Sequence, residues 1–127
     1  MGASFQVECK KCGCTFHADE GGGFVFHMLH CDACGKSKSV TFESLGELHL
    51  RYLKSFKGPY CIATREQDEY VQEHYEGEPL SEAEYHAQIE EQQKPCKCGG
   101  RFTFKAIARC PQCRSTDYEG PVVAMYD

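Results

Sequence analysis

The chain has no tryptophan and only five prolines in 127 residues, and it holds no run of about 18 apolar residues that would span a membrane. Its first residues, Met1 to Gln6, show neither the basic start nor the apolar middle of a secretory signal, so a soluble, cytoplasmic protein is expected, with no membrane among its partners. A phosphate loop is missing too: Gly21-Gly22-Gly23 has no lysine after it and reads as a flexible turn. Nor is there a paired catalytic motif. Cys61 could be set beside His49, His74 or His86 as nucleophile and base, but nothing around them resembles a catalytic signature, and the expectation is a protein that is not an enzyme.

Positive charge is also in short supply. The net charge is −5, and residues 65–94 alone carry −8 while the rest of the chain carries +3. That balance disfavours whole-surface attraction to nucleic acid, although a local basic patch could still act. The acidic run from Glu66 to Glu91 reads as a solvated face, or else as a surface for a protein partner. Opposed acidic and basic segments would also suit a homo-oligomer.

What the chain has in quantity is cysteine, ten in all, bunched toward the two ends. In a reducing compartment closely spaced thiols point to metal or catalysis rather than to a disulfide framework. Cys9-Lys10-Lys11-Cys12-Gly13 and Cys31-Asp32-Ala33-Cys34-Gly35 are two C-x2-C-G turns with 18 residues between Cys12 and Cys31. A two-residue gap lets one tight turn aim both sulfurs at one ion, and the glycine after it tolerates a left-handed backbone. Near the other end, Cys96-Lys97-Cys98-Gly99-Gly100 precedes Cys110-Pro111-Gln112-Cys113 by 11 residues. Its first pair is one residue short, and the double glycine is expected to supply the freedom to turn both sulfurs inward.

The expected ligands are therefore Cys9, Cys12, Cys31 and Cys34 for one ion, and Cys96, Cys98, Cys110 and Cys113 for a second. Cys14 could exchange with a ligand but reads better as a small buried thiol, and Cys61 has no partner in sequence. His17, His27 and His30 lie near the first set and read as strand-face residues or supports for the ligands. Lys10, Lys11, Lys97, Arg109 and Arg114 stand beside the cysteines, where they could offset thiolate charge or, alternatively, form a nucleic-acid patch.

These turns resemble those of the zinc-ribbon, rubredoxin-like superfamily. The resemblance covers the two ends alone and implies, at each, a small antiparallel three-stranded sheet with one metal clamped between two turns. It also implies zinc at two per chain, with iron as the alternative, since rubredoxin-like folds hold iron on similar turns and carry electrons. A unit of some 40 residues rarely buries enough apolar surface to fold unaided, and structural zinc can make up the shortfall. A closed four-thiolate site leaves no open position for water, so the function expected is non-catalytic: metal-supported display of a protein-interaction or regulatory surface.

Between the ends, residues 43–94 change character. Ser44/Glu47, Thr64/Gln67 and Ser81/Glu84 have capping-box spacing and predict three helix starts. Leu45, Leu48, Tyr52 and Phe56 form an apolar stripe on the first, with Arg51, Lys54 and nearby Lys57 as its basic face. The second, with Tyr70, Val71, His74 and Tyr75, and the third, with Tyr85 and Ile89, are thinly apolar and are expected to lean on a ribbon or on a second chain. Alternating apolar residues predict strands around Phe5-Val7-Cys9, Thr15-Phe16, Phe24-Val25-Phe26, Val40-Thr41-Phe42, Phe102-Phe104 and Val122-Tyr126. The fold class is α+β: an N-terminal ribbon at 1–42, a helical acidic insert at 43–94, and a C-terminal ribbon at 95–127.

Overall fold

The structure, a computed structural model, describes residues 2–23 and 25–126. Phe24, expected in a strand, lies outside them. The fold is α+β, and it divides into two compact units, one made of Met1–Val40 with Gln93–Asp127 and the other of Thr41–Gln92. The two ends therefore form one body, not the two separate ribbons at 1–42 and 95–127 expected from the order of the cysteines. The physical reason is strand pairing, which joins the ends.

In the first unit, β1 (Gly2–Cys9) is the centre of a sheet. On one side it pairs antiparallel with β2 (Thr15–Glu20), Val7 facing Phe16 and Phe5 facing Ala18. Its other edge takes two strands from the far end of the chain: β6 (Tyr118–Glu119) opposite Glu8 and Cys9, then β7 (Val122–Tyr126) opposite Gly2 to Phe5. The predicted alternation holds along β1, where Val7 and Cys9 are buried and Glu8 is exposed. Val7, Ala18 and Ala108 form a small core, closed by Phe5, Phe16 and Tyr118. The Phe16 ring meets Tyr118 edge to face at 5.1 Å, and the Tyr118 hydroxyl donates to the Ala108 carbonyl at 2.8 Å.

The second sheet of this unit has the order β4-β3-β5, built from β3 (Phe26–Cys31), β4 (Ser37–Thr41) and β5 (Phe102–Thr103). β5 again comes from the far end, with Phe102 opposite Cys31 and Thr103 opposite His30. The strand expected through Phe104 stops at Thr103. Each sheet thus takes strands from both ends of the chain.

The second unit carries the helices: α1 (Phe42–Leu45), α2 (Glu47–Lys54), a 3-10 turn at Ile62–Thr64, α3 (Arg65–His74) and α4 (Glu82–Gln92). Phe42, expected to end a strand, opens α1. The cap is Thr41, whose hydroxyl accepts from the Ser44 N–H at 3.2 Å while the Ser44 hydroxyl donates back to the Thr41 carbonyl at 2.7 Å. The spacing Thr41/Ser44 takes the role predicted for Ser44/Glu47, and Gly46 at φ 56 separates α1 from α2. Thr64 does precede α3, but its hydroxyl donates to Asp68 at 2.6 Å and caps no backbone N–H. Ser81 behaves as predicted, accepting from the Glu84 N–H at 3.3 Å.

This unit has a core of its own, richer than its sparse sequence pattern suggests. Tyr85 and Ile89 are fully buried, with Leu45, Leu48, Tyr52, Leu53 and Leu80 around them. The rings of Tyr52 and Tyr85 stack at 4.0 Å, and His49 stacks on Phe42 at 3.9 Å. His49 Nδ1 and the Tyr85 hydroxyl lie 2.7 Å apart, which gives both buried polar groups a partner. Among the described residues, no helix is long and apolar enough to cross a membrane.

Candidate metal centres

All eight of the cysteines singled out as ligands fall into two groups of four, but not the groups that proximity in sequence suggests. Cys9 and Cys12 join Cys110 and Cys113, while Cys31 and Cys34 join Cys96 and Cys98. The pairing is nested: the first turn meets the fourth, and the second meets the third. Strand register enforces this, because β6 follows the fourth turn and pairs with the very end of β1, at Cys9, just as β5 follows the third turn and pairs with Cys31.

The turns share one geometry. In the first, the Gly13 N–H donates to the Cys9 carbonyl at 2.9 Å and the Cys9 N–H donates to the Cys14 carbonyl at 2.8 Å. The second repeats this with Gly35, Cys31 and Lys36, and the fourth with Arg114, Cys110 and Ser115. Each needs a left-handed residue after its second cysteine, and Gly13, Gly35 and Arg114 have φ of 75, 77 and 62. The short third turn is the same device less one residue: the Gly99 N–H donates to Cys96, the Cys96 N–H donates to Gly100, and Gly99 takes φ 94. The missing residue is absorbed by the bonding pattern, and both sulfurs still face one point.

Close approach of the second and third turns depends on Gly100. A Cβ there would lie 2.5 Å from Cys31 Sγ and 2.8 Å from Ala33 Cβ. The two turns are further joined by a reciprocal pair of hydrogen bonds, Asp32 N–H to the Arg101 carbonyl at 2.8 Å and Arg101 N–H to the Asp32 side-chain carboxylate at 2.9 Å.

Distances within the groups fit a tetrahedral thiolate cage. The Sγ atoms of Cys9 and Cys113 are 3.5 Å apart, those of Cys12 and Cys110 3.4 Å, those of Cys31 and Cys98 3.4 Å, and those of Cys34 and Cys96 3.6 Å. A metal–sulfur distance of about 2.3 Å implies a tetrahedral edge of about 3.8 Å. A disulfide would need about 2.05 Å, and all ten cysteines are free thiols. In the second turn, the N–H groups of Ala33 and Cys34 point at Cys31 Sγ, at 3.4 and 3.5 Å.

Four thiols within 4.8 Å of one another cannot all ionise unaided. At Cys110 burial opposes ionisation, yet the N–H groups of Cys113 and Gln112, helped by neighbouring thiols, win and draw it down to about 6. Cys12 answers in the opposite sense: although the Cys14 N–H favours its thiolate, the surrounding sulfurs and burial hold it up at about 12. In the other group Cys34 is likewise pushed up to about 12, against the pull of the Lys36 N–H, by burial and the sulfurs of Cys98, Cys96 and Cys31. A divalent cation at the centre removes the conflict, since coordination deprotonates a thiol outright. Each group can thus hold a metal ion.

Cys14 and Cys61 stay outside both groups. The Cys14 thiol donates to the Thr15 carbonyl at 3.7 Å, and Cys61 Sγ lies 3.1 Å from the Thr64 hydroxyl. His27 and His30 are buried on β3, the strand that carries Cys31, whereas His17 is exposed. Lys10 pairs with Glu119 at 3.3 Å, tying the first turn to β6. The nested pairing was missed in the sequence, where its one visible trace is the extra glycine at position 100.

The chain belongs to the family described as Domain of unknown function (DUF8255), which matches residues 5–119 and so takes in both cages and the helical unit between them. No curated protein and no solved structure matches it.

Proposed function

We propose that the protein is a non-catalytic zinc protein of the zinc-ribbon, rubredoxin-like kind, holding two structural ions and using the frame they stabilise to present an interaction or regulatory surface to a protein partner. The observation that carries this reading is the donor set: four sulfurs per site at tetrahedral spacing, with no position left for water or substrate. Zinc so bound is neither a Lewis acid nor a source of hydroxide. The free thiols suit a reducing, cytoplasmic setting. A protein partner is favoured over nucleic acid by the acidic helical unit, which carries −8, and by apolar side chains it leaves in solvent, Ile62 at 89% and Tyr70 at 64% exposure.

An iron electron carrier is the second reading, favoured by the solvent exposure of Cys12, Cys98 and Cys113, through which an electron could pass. Elemental analysis of the purified protein separates the two. Two zinc ions per chain in colourless protein are expected, and a red, redox-active iron protein would replace the first reading with the second.

A further inference from the structure

Along the seam where the second and fourth turns abut, the first unit has a cleft of ≈ 450 Å³. The contact is tight: a Cβ on Gly35 would lie 2.2 Å from the Arg109 nitrogen. The volume sits within the range of small-molecule sites, about 300 to 1,000 Å³, and is several times what an inorganic oxyanion fills.

Its lining is lopsided in charge. Lys36, Arg109 and Arg114 all contribute, against the cage ligand Cys34 and one carboxylate, Asp19, which already accepts from the Ser4 hydroxyl. Among the described residues none of the three cations is ion-paired; Arg109 spends one N–H on the Arg114 carbonyl at 3.0 Å. His30 also lines the cleft, is only 5% exposed, and leaves its Nε2 without a hydrogen-bond partner. The Ser37 hydroxyl adds a further donor at the rim.

We propose that this cleft binds a small phosphate monoester of about mononucleotide size. The phosphate sits among Lys36, Arg109 and Arg114, and the organic part fills the remaining space beside His30. Loaded four-thiolate cages are net negative, and Cys34 of one of them lies on the cleft wall, where it works against an anion. Guanidinium and ammonium groups act in direct, charge-assisted hydrogen bonds, which are the stronger contacts. The three cations, none of them ion-paired among the described residues, supply those contacts in one cleft. The proposal needs the cages formed, and it holds whichever metal fills them.

The test is titration of the metal-loaded full chain with adenosine monophosphate, adenosine and inorganic phosphate at low salt, followed by calorimetry and by amide shifts of Gly35 and Arg109. Adenosine monophosphate should bind tighter than inorganic phosphate, and adenosine not at all. R114G keeps the left-handed backbone that position requires, and with K36Q it should weaken adenosine monophosphate binding about tenfold per variant. Metal content should stay unchanged in both, and K105Q, at an exposed lysine outside the cleft, should leave binding unaltered. Binding of adenosine equal to that of its monophosphate would overturn the proposal, as would full affinity in both cleft variants. So would binding restricted to single-stranded oligonucleotides, which would make the surface a nucleic-acid contact instead.

Discussion

The two units of this chain solve the same problem, a core too small for comfort, by different means. The strand unit has two four-cysteine groups and small apolar clusters, one of them Val7, Ala18 and Ala108, to close its short sheets. The helical unit uses no sulfur cage and closes on stacked rings, with Tyr85 at its centre and His49 and Tyr52 against it. One can draw on a few strong, directional bonds to an ion, and the other relies on dispersed contacts plus buried polar contacts at His49 and Asp68. They should therefore fail under different insults.

The largest contrast comes from removing ligands. C9S and C110S should each cost the same single ion, and the double variant no more than one. C9S with C31S should cost both ions, whereas cages local to each end would cost only one. Native mass spectrometry counts the ions directly. Since structural zinc contributes roughly 10 to 16 kcal/mol of apparent binding energy, each lost cage should unfold its own sheet. Chelation should do likewise while the helical circular dichroism, which comes from Thr41–Gln92, persists. Loss of the helical signal in step with metal would show that the ring-stacked core cannot stand without the cages.

Next in size is Tyr85. Y85A should destabilise the helical unit by about 3 to 5 kcal/mol through the cavity it leaves, with metal content intact. Y85F, which strands the buried His49 nitrogen, should cost about 1 to 3 kcal/mol. Urea unfolding followed at the helical signal measures both.

Acid should separate the units in a third way. Burial, against a smaller pull from Asp68, pushes His49 down to about 4 from an ordinary value of 6.5. The unfolded chain then binds a proton that the folded chain does not. The contribution is whole above about pH 6.5 and is lost as pH falls toward 4, by roughly 3 kcal/mol. Helical stability that stayed flat between pH 7 and 4.5 would contradict the buried, neutral histidine. The smallest effect is a gain: R114G relieves a non-glycine left-handed residue and should stabilise the strand unit by about 1 kcal/mol in thermal unfolding.

Much of the site was legible in the sequence because turn chemistry is local. A C-x2-C-G run states its own backbone, and Gly13 and Gly35 adopt the left-handed conformation such a run demands, as Gly99 does after the shorter third pair. Which turn meets which is not local. It depends on two-residue strands, Phe102–Thr103 and Tyr118–Glu119, far too short to carry a periodic signal. The acidic run was read correctly as mostly solvated, with Glu66, Glu69, Glu73 and Glu76 exposed. Asp68 is the exception, buried to accept from the Tyr60 N–H and the Thr64 hydroxyl. The helical core was underestimated because aromatic side chains, few in number, bury a large area each.

The nested order of the turns bears on how the protein is made. On a ribosome Cys9, Cys12, Cys31 and Cys34 emerge together, well before any rightful partner, and four thiols so spaced can seize an ion as a provisional, wrong cage. Reaching the final arrangement then requires that ion to be surrendered and ligands exchanged once the last turns appear. Slow metal exchange during biogenesis would thus set the pace of maturation, and early metal scarcity would hasten it.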